Sequence, residues 1–266
     1  MLDPKMPAAQ YHAHPALSKS DLDLVHRSPA HFQAEKRCPS PPTPAMEWGA
    51  MYHSFVLTPD EFGRTYAVLP DGIDRRTREG REEWEAWQAQ NADKQPVAEP
   101  TMVELVAMRE ALMGHGLASA ALSEGEPELS CFGTLHGVEC KCRFDWLRSG
   151  DTMVDLKTTT DARPDAFSRA AWNFRYHVQA AFYSDVYYAA TGRRIERVLF
   201  IAQERAQPYA VNIYVADEEM IEQGRREYID DLSLYKQCLE ADEWPAYPEV
   251  VQALVLPVWA QDNRGL

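Results

Sequence analysis

Two carboxylates and a lysine near the middle of the chain have the types and spacing that phosphodiester hydrolysis requires. In RFDWLRSGDTMVDLKTTT (143–160), Asp145 lies near the end of one predicted strand, and Asp155 and Lys157 lie two apart on the next. Residues two apart on a strand project from the same face, and the turn at 148–151 brings Asp145 toward them. Carboxylate oxygens hold Mg²⁺, which activates water and neutralises phosphate charge, while the lysine orients the water or the phosphate. Taken alone, such a pair is more often an ordinary surface salt bridge.

Four further residues make this hairpin a stronger candidate. Gln179 and Tyr183 are spaced i,i+4 and share one face of the helix that follows. His53 lies in an apolar helix after Gly49, where a neutral imidazole could bind a metal or a phosphate, or simply pack in the core. Glu128 precedes the hairpin and could supply a third carboxylate to the metals, directly or through water, or be an edge charge.

The elements that position these residues follow from periodicity and from capping signals. Ser18 with Asp21 forms a capping-box pattern for the first of two short helices over 17–36, and Pro29 opens the second. Strand patterns and further helix patterns then alternate. We predict helices over 46–57, 101–122, 162–191 and 217–241, three antiparallel strands over 128–135, 138–147 and 153–159, and β-rich runs over 193–205 and 208–216. For the polar segment 58–100 two interpretations stay open: an ordered insertion near a site, or a solvated loop with a helix.

Bulk composition narrows the class of protein. The chain has 266 residues, no apolar stretch long enough for a bilayer and no apolar signal region at its start, so we expect a cytoplasmic protein without membrane contact. The net charge of −14 argues against a protein that coats nucleic acid nonspecifically. It does not exclude a nuclease, because a local groove or pore of positive charge could bind the DNA.

The cysteines indicate neither a disulfide framework nor a zinc site. There are five, and no second closely spaced pair accompanies Cys140 and Cys142 near His136. Their spacing fits alternating positions on a strand, so we interpret them as buried free thiols.

The order of these motifs resembles a known nuclease group. Gly49-x-x-x-His53, Asp145, Asp155-x-Lys157 and Gln179-x-x-x-Tyr183 are similar to the RecB-like branch of the PD-(D/E)xK nuclease superfamily, and within it to the RecE-type exonucleases (exodeoxyribonuclease VIII). The segments LSKSDLDLVHRSPAHF, WGAMYHSFVLTPDEFGRTYAVLP and DRRTREGREEW also resemble that family, from about residue 11 to about residue 245. Met-Tyr before His53 departs from the smaller or aliphatic residues expected there.

The resemblance implies a fold and a set of site residues. The fold is α/β, a PD-(D/E)xK restriction-endonuclease-like core with a mixed central sheet, antiparallel at the catalytic hairpin and flanked by helices on both faces. We expect one nuclease domain over 1–266, with a helical N-terminal part (11–125) containing His53, a catalytic part (126–245) and a C-terminal tail (246–266). The implied roles are metal binding by His53, Asp145, Asp155 and the Leu156 carbonyl, catalysis by Lys157, and support of the site and DNA contact by Gln179 and Tyr183.

The resemblance also implies an activity and partners. Two Mg²⁺ per site, replaceable by Mn²⁺, would serve digestion of linear double-stranded DNA from 5′ ends. The product would carry 3′ single strands for recombination with a RecT-like annealing protein. A homo-oligomeric ring, most simply a tetramer, would thread the DNA end. The four-cysteine arrangement of iron–sulfur relatives is missing, so we expect no cluster.

Several alternatives stay open. The same fold could serve a single-strand exonuclease, a structure-specific endonuclease, or a non-catalytic module that binds DNA or a recombination partner. An arginine group could line a DNA pore or belong to a solvated loop, and it comprises Arg75, Arg76, Arg78 and Arg81. Trp84, Trp87 and Trp172 could stack on bases or wedge a duplex end, or pack in the core.

Overall fold

The computed structural model describes residues 1–70, 72–149 and 151–255. The predicted turn at 148–151 therefore includes one residue outside the described set, and the predicted tail includes residues 256–266 outside it. The helices are α1 (Ala8–Ala13), α2 (Lys19–Arg27), α3 (Pro29–Arg37), α4 (Pro44–Leu57), α5 (Pro59–Thr65), α6 (Arg78–Gln90), α7 (Glu99–Gly114), α8 (Gly116–Ala121), α9 (Pro164–Asn173), α10 (Tyr176–Thr191) and α11 (Glu218–Ala241). The strands are β1 (Leu2–Asp3), β2 (Tyr66–Val68), β3 (Gln95–Val97), β4 (Gly125–Leu135), β5 (Val138–Arg148), β6 (Thr152–Thr159), β7 (Arg197–Glu204) and β8 (Val211–Val215).

A six-stranded mixed sheet in the order β1-β4-β5-β6-β7-β8 forms the centre of the protein. Strands β4, β5 and β6 are antiparallel neighbours, as the turn sequences between them predict. Strand β7 lies parallel to β6, because the chain crosses over through α9 and α10 before it returns to the sheet. Strand β8 then pairs antiparallel with β7. The prediction of a mixed sheet that is antiparallel at the hairpin is confirmed.

Helices cover both faces of this sheet, as predicted, and each face has its own apolar core. Residues of α2, α3, α10 and α11 pack with Met153 and Phe200 on one face. Residues of α4, α5, α7 and α8 pack with Val154, Leu156 and Ile201 on the other. Successive residues of β6 enter opposite cores because side chains alternate along a strand. The same alternation places Asp155 and Lys157 on the α10 face.

The predicted capping box of Ser18 and Asp21 is confirmed. The Ser18 hydroxyl accepts from the Asp21 N–H, and the Asp21 carboxylate accepts from the Ser18 N–H at 2.8 Å, which closes the capping box of α2. Asp217 caps α11 by accepting from the Met220 N–H. Gly192 ends α10 in the left-handed conformation, at φ 73°.

The prediction of one helix over 162–191 is wrong, because the chain breaks at Arg175, whose φ is 53°. The Arg175 guanidinium lies 2.6 Å from Asp231 and 3.0 Å from Asp23, so long-range ion pairs hold the residue in a conformation that a helix does not allow. The predicted helix over 101–122 is also interrupted: it ends at Gly114 and resumes as the short α8.

The described residues of the segment 58–100 form a parallel ribbon of β2 and β3 together with helices α5, α6 and the start of α7. Cys140 and Cys142 are buried free thiols, as interpreted from their spacing. Within the described part of the chain, no helix has the length and apolar content to cross a membrane.

Candidate metal and active site

The site forms where the β5 and β6 strands stop pairing. Their ladder covers three residue pairs, from Arg148–Thr152 to Trp146–Val154. Two residues past Val154 on β6, the Leu156 N–H donates to Oδ2 of Asp145 at 2.8 Å. A side-chain carboxylate thus takes the place of a backbone acceptor, which fixes Asp145 beside β6 and satisfies a backbone donor. The predicted approach of Asp145 to Asp155 and Lys157 follows from this opening.

Asp155, Lys157 and Gln179 form a closed group on the α10 face. The Lys157 ammonium lies 2.6 Å from Asp155 Oδ1 and donates to Gln179 Oε1 at 3.0 Å. The Gln179 amide donates in turn to Asp155 Oδ2. The ammonium also lies 4.7 Å from the ring centroid of Tyr176. The Asp155 side chain is only 1% exposed and that of Lys157 is 20% exposed, so the carboxylate is buried and the lysine is the partner that solvent partly reaches.

A second group supplies potential metal ligands. His53 of α4, Glu128 of β4 and Asp145 of β5 offer ligand atoms that all lie within 4.8 Å of one another. His53 Nδ1 is 3.6 Å from Asp145 Oδ1. We call these three residues the ligand cluster. Two carboxylates and an imidazole fit a divalent cation, because the oxygens suit Mg²⁺ and the full set also suits Mn²⁺.

Glu128 reaches the ligand cluster from an unusual backbone conformation. Its φ is 50°, which is uncommon for a residue other than glycine. The Arg143 side chain holds the Glu128 carboxylate at 2.6 Å and also donates to the Met6 carbonyl and the Ser130 hydroxyl. The Glu128 carboxylate is therefore positioned by a partly buried charge pair.

Two predicted ligands, Asp155 and Leu156, are not members of the ligand cluster. Within the described residues, no group of three potential side-chain ligands contains Asp155, whose carboxylate contacts Lys157 and Gln179. Leu156 uses its N–H toward Asp145, and its carbonyl as a ligand stays a prediction.

Burial and charge together set the protonation of the site. Burial acts to lower the pKa of His53, but the Asp145 and Glu128 carboxylates outweigh it and raise the pKa to about 9. Burial likewise acts against the charged form of Lys157, and Asp155 with Asp145 raises its pKa above the usual range. The pKa of Glu128 is raised by burial and by the Asp145 carboxylate. That of Asp145 is lowered, because His53 and Lys157 outweigh its burial.

A cleft of about 570 Å³ opens onto the ligand cluster. Its walls include Tyr183, which packs edge-on against Phe144, and four basic residues that the sequence motifs did not indicate: Lys19, Lys36, Lys141 and Arg143. Lys141 is 4% exposed and donates to the carbonyls of residues 11, 12 and 14, at the end of α1. A signal was present, since Lys141, Arg143 and Asp145 alternate with apolar residues and so share one face of β5.

The arginine group and the tryptophans lie elsewhere. All four arginines are exposed and, among the residues described, none lines the cleft. Arg75 lies over the Trp84 ring at 4.8 Å, and Trp84 stacks on Trp87 at 5.4 Å. A role for the arginine group in DNA binding stays a prediction.

Comparison with known proteins assigns the family. Residues 18–256 match the family described as a PDDEXK-like domain of unknown function (DUF3799). The chain belongs to this family. It is thus part of the PD-(D/E)xK superfamily, as the motif order indicates, while the finer likeness to RecE-type enzymes rests on the sequence motifs.

A solved structure shows the same fold. It is described as a "putative exonuclease" from Eubacterium rectale and superposes with a TM-score of 0.64 at 13% identity, covering 98% of this chain and 99% of that one. A second structure, of SSO0001, has a TM-score of 0.28 at 14% identity, covers 68% of this chain and 85% of that one, and supports no argument. No protein of curated function matches the sequence. At such identities the likeness concerns the fold alone.

Proposed function

We propose that this protein is a metal-dependent exodeoxyribonuclease of the RecE type. It digests linear double-stranded DNA, from 5′ ends, and leaves 3′ single strands for recombination by strand annealing. The observation that carries the proposal is the Asp155–Lys157–Gln179 group directly beside the ligand cluster, at the opening between β5 and β6. A structural ion pair would need no neighbouring set of potential metal ligands that faces an open cleft.

The side chains divide the work of hydrolysis. The ligand cluster would hold one divalent ion, and Asp155 with the Leu156 carbonyl would complete a second position. Bound Mg²⁺, or Mn²⁺ in its place, would supply a Lewis acid that activates water and neutralises phosphate charge. Lys157 stays protonated because its pKa is raised, so it donates to a phosphate oxygen or to water and does not act as the base. Gln179 fixes the direction of the ammonium, and Tyr183 on the cleft wall contacts the DNA.

The resemblance extends the proposal to assembly and partners. A tetrameric ring would enclose the DNA end, and a RecT-like annealing protein would receive the single strand in the cytoplasm. A ring reconciles the net charge of −14 with a polyanionic substrate, since only the pore needs to be basic. The exposure of the arginine group is compatible with such a pore. Residues of α4 and β6 pack in the same apolar core, which supports a single nuclease domain over 1–266.

Digestion of an end-labelled linear duplex, beside a covalently closed circle, tests this function. With Mg²⁺ we expect loss of the linear duplex, an intact circle, and no cleavage in EDTA. Asp145→Asn should inactivate the enzyme while it retains an acceptor for the Leu156 N–H, and Asp93→Asn, an exposed site outside the cleft, is the control. Cleavage of the circle at the rate of the linear duplex would replace the proposal by an endonuclease. Full activity of Asp145→Asn would refute the site, and a native mass measurement tests the tetramer.

A further inference from the structure

A second cavity lies between the ends of β7 and β8, helix α9 and the first turns of α11. Its volume is about 630 Å³, within the range of ligand pockets, and no residue lines both this cavity and the catalytic cleft. Aromatic rings form much of its wall. Phe167 stacks on Tyr214 with 4.7 Å between ring centroids and 18° between planes, and Phe200 closes the inner end. We call this cavity the aromatic pocket.

Trp172 gives the aromatic pocket a stacking surface at its rim. The Trp172 ring lies parallel to the His177 ring, with centroids 4.8 Å apart and 8° between planes. Trp172 nevertheless remains 59% exposed. A large apolar ring that is held flat against one neighbour and left mostly in water is a ready platform for a second planar ring.

His177 supports the Trp172 ring from the same wall. It is 3% exposed and lines the aromatic pocket, and its Nε2 lies 3.1 Å from Glu227. Among the residues described, neither of its ring nitrogens has a hydrogen-bond partner, and neither is exposed on the wall of the pocket. The Trp172 ring covers the imidazole, so His177 holds the stacking surface in place and does not itself contact a ligand on the free face of Trp172.

We propose that the aromatic pocket binds an unstacked nucleobase. A nucleobase supplies a planar ring that can stack on the free face of Trp172, as bases do on aromatic side chains that bind single strands. Asp217 and Glu219 lie in the same lining as Arg226, so the pocket does not present a uniformly basic surface for a phosphate. The ring, and not the phosphate, is therefore the part that the pocket recognises.

The position of the pocket suits a DNA strand at the catalytic site, and in this respect the inference rests on the proposed function. Phe200 is the β7 residue paired with Asp155 of β6. The Lys157 ammonium lies 4.7 Å from the Tyr176 ring, which stacks on Phe200 at 5.6 Å. The inner wall of the pocket is thus formed by the strand next to the one that carries the catalytic carboxylate.

Binding without cleavage tests the proposal. Two probes are used in EDTA: a fluorescein-labelled oligothymidylate and free 2-aminopurine deoxyribonucleotide. Each probe is titrated with wild-type protein and with two pocket variants, Trp172→Leu and Ser168→Trp. The second variant places a large side chain in the lining and so obstructs the pocket. Tyr188→Leu removes an equally exposed aromatic ring that lines neither cavity, and serves as the control. We expect about tenfold weaker binding in both pocket variants, as for loss of one base–aromatic stack, and no change in the control.

The two probes separate the sources of the base. Loss for the oligonucleotide assigns the pocket to a DNA strand, and loss for the free nucleotide alone assigns it to a mononucleotide. Wild-type binding of both probes by both variants would overturn the proposal. If the pocket variants bind more weakly but the wild-type protein cleaves no DNA with Mg²⁺, the proposed nuclease function is refuted and the pocket proposal stands. If the protein is an active nuclease and the variants bind as tightly as wild type, the nuclease proposal stands and the pocket proposal is refuted. Thermal unfolding of Trp172→Leu, an exposed site, checks that folding is intact.

Discussion

Replacing Lys157 by methionine should destabilise the protein as well as inactivate it. Asp155 is 1% exposed, and its Oδ1 lies 2.6 Å from the Lys157 ammonium. Methionine retains most of the apolar stem but removes the charge, so a buried carboxylate loses its counter-ion. Gln179 continues to donate one hydrogen bond to it. The remaining oxygen keeps its charge without a cation in direct contact.

The magnitude follows from the burial of the two partners. Removing one member of a buried ion pair costs about 3–5 kcal/mol. Lys157 is 20% exposed and Gln179 remains in place, so we expect the lower end, a loss of about 3 kcal/mol in the free energy of unfolding at neutral pH. Burial already raises the pKa of Asp155, and loss of the lysine raises it further. Since the folded-state pKa lies above the unfolded value, the folded variant binds a proton as pH falls through that pKa, and its deficit shrinks.

Urea unfolding in EDTA, followed by tryptophan fluorescence, measures this deficit. The double variant Asp155→Asn/Lys157→Met should recover most of the loss, because it removes the buried charge together with its partner. Lys5→Met, at an exposed lysine without an ion pair among the described residues, should leave stability unchanged. A Lys157→Met variant as stable as the wild type at neutral pH, or a double variant less stable than the single one, would contradict the reasoning.

Three other predictions follow from the site and its scaffold. Glu128→Gln should weaken Mn²⁺ binding by roughly tenfold or more, measured by calorimetry, and unchanged affinity would remove Glu128 from the ligand cluster. In metal-free protein, the His53 pKa of about 9 lies above its unfolded value, so its stabilisation is complete below about pH 6.5 and is lost as pH rises through 9. Melting temperatures of His53→Gln across that range should lack this decline. Gly224→Ala should cost about 1–3 kcal/mol or more, because its Cβ would lie 2.0 Å from the His177 carbonyl, whereas Gly63→Ala meets nothing within 4 Å; equal melting temperatures would refute this.

Local signals predicted the hairpin and the helix starts. The β4–β5 and β5–β6 turns lie between strands whose alternation is visible in the sequence, and Ser18 and Asp217 cap their helices as their residue types indicate. Proximity of Asp145 to the Asp155–Lys157 pair followed from hairpin geometry alone. These features depend on contacts between residues close in sequence, which is why sequence patterns reveal them.

Features that depend on distant partners could not be predicted in the same way. The break at Arg175 is held by Asp23 and Asp231, residues more than fifty positions away, and nothing in the local sequence marks it. The different surroundings of the three carboxylates could not be predicted from the sequence either. Asp155 is directed to Lys157 and Gln179, while Glu128 joins the ligand cluster only because β4 places it opposite Asp145.

Strands β4, β5 and β6 all depart from regular β structure at the same height in the sheet. This coincidence supports the assignment of Glu128 as a ligand of the first metal position. The pairs Pro127–Trp146 and Leu129–Phe144 keep the β4–β5 register on either side of Glu128, whose own backbone turns to φ 50°. At the same level the β5–β6 ladder gives way to the carboxylate of Asp145. A left-handed residue other than glycine costs about 1–2 kcal/mol and persists only where its surroundings hold it. Arg143 does so here, and folding alone gives no reason for the cost. Placement of a carboxylate against Asp145 and His53 does give one, so Glu128 is a better candidate for the first metal position than Asp155, whose buried carboxylate lies against Lys157 and Gln179.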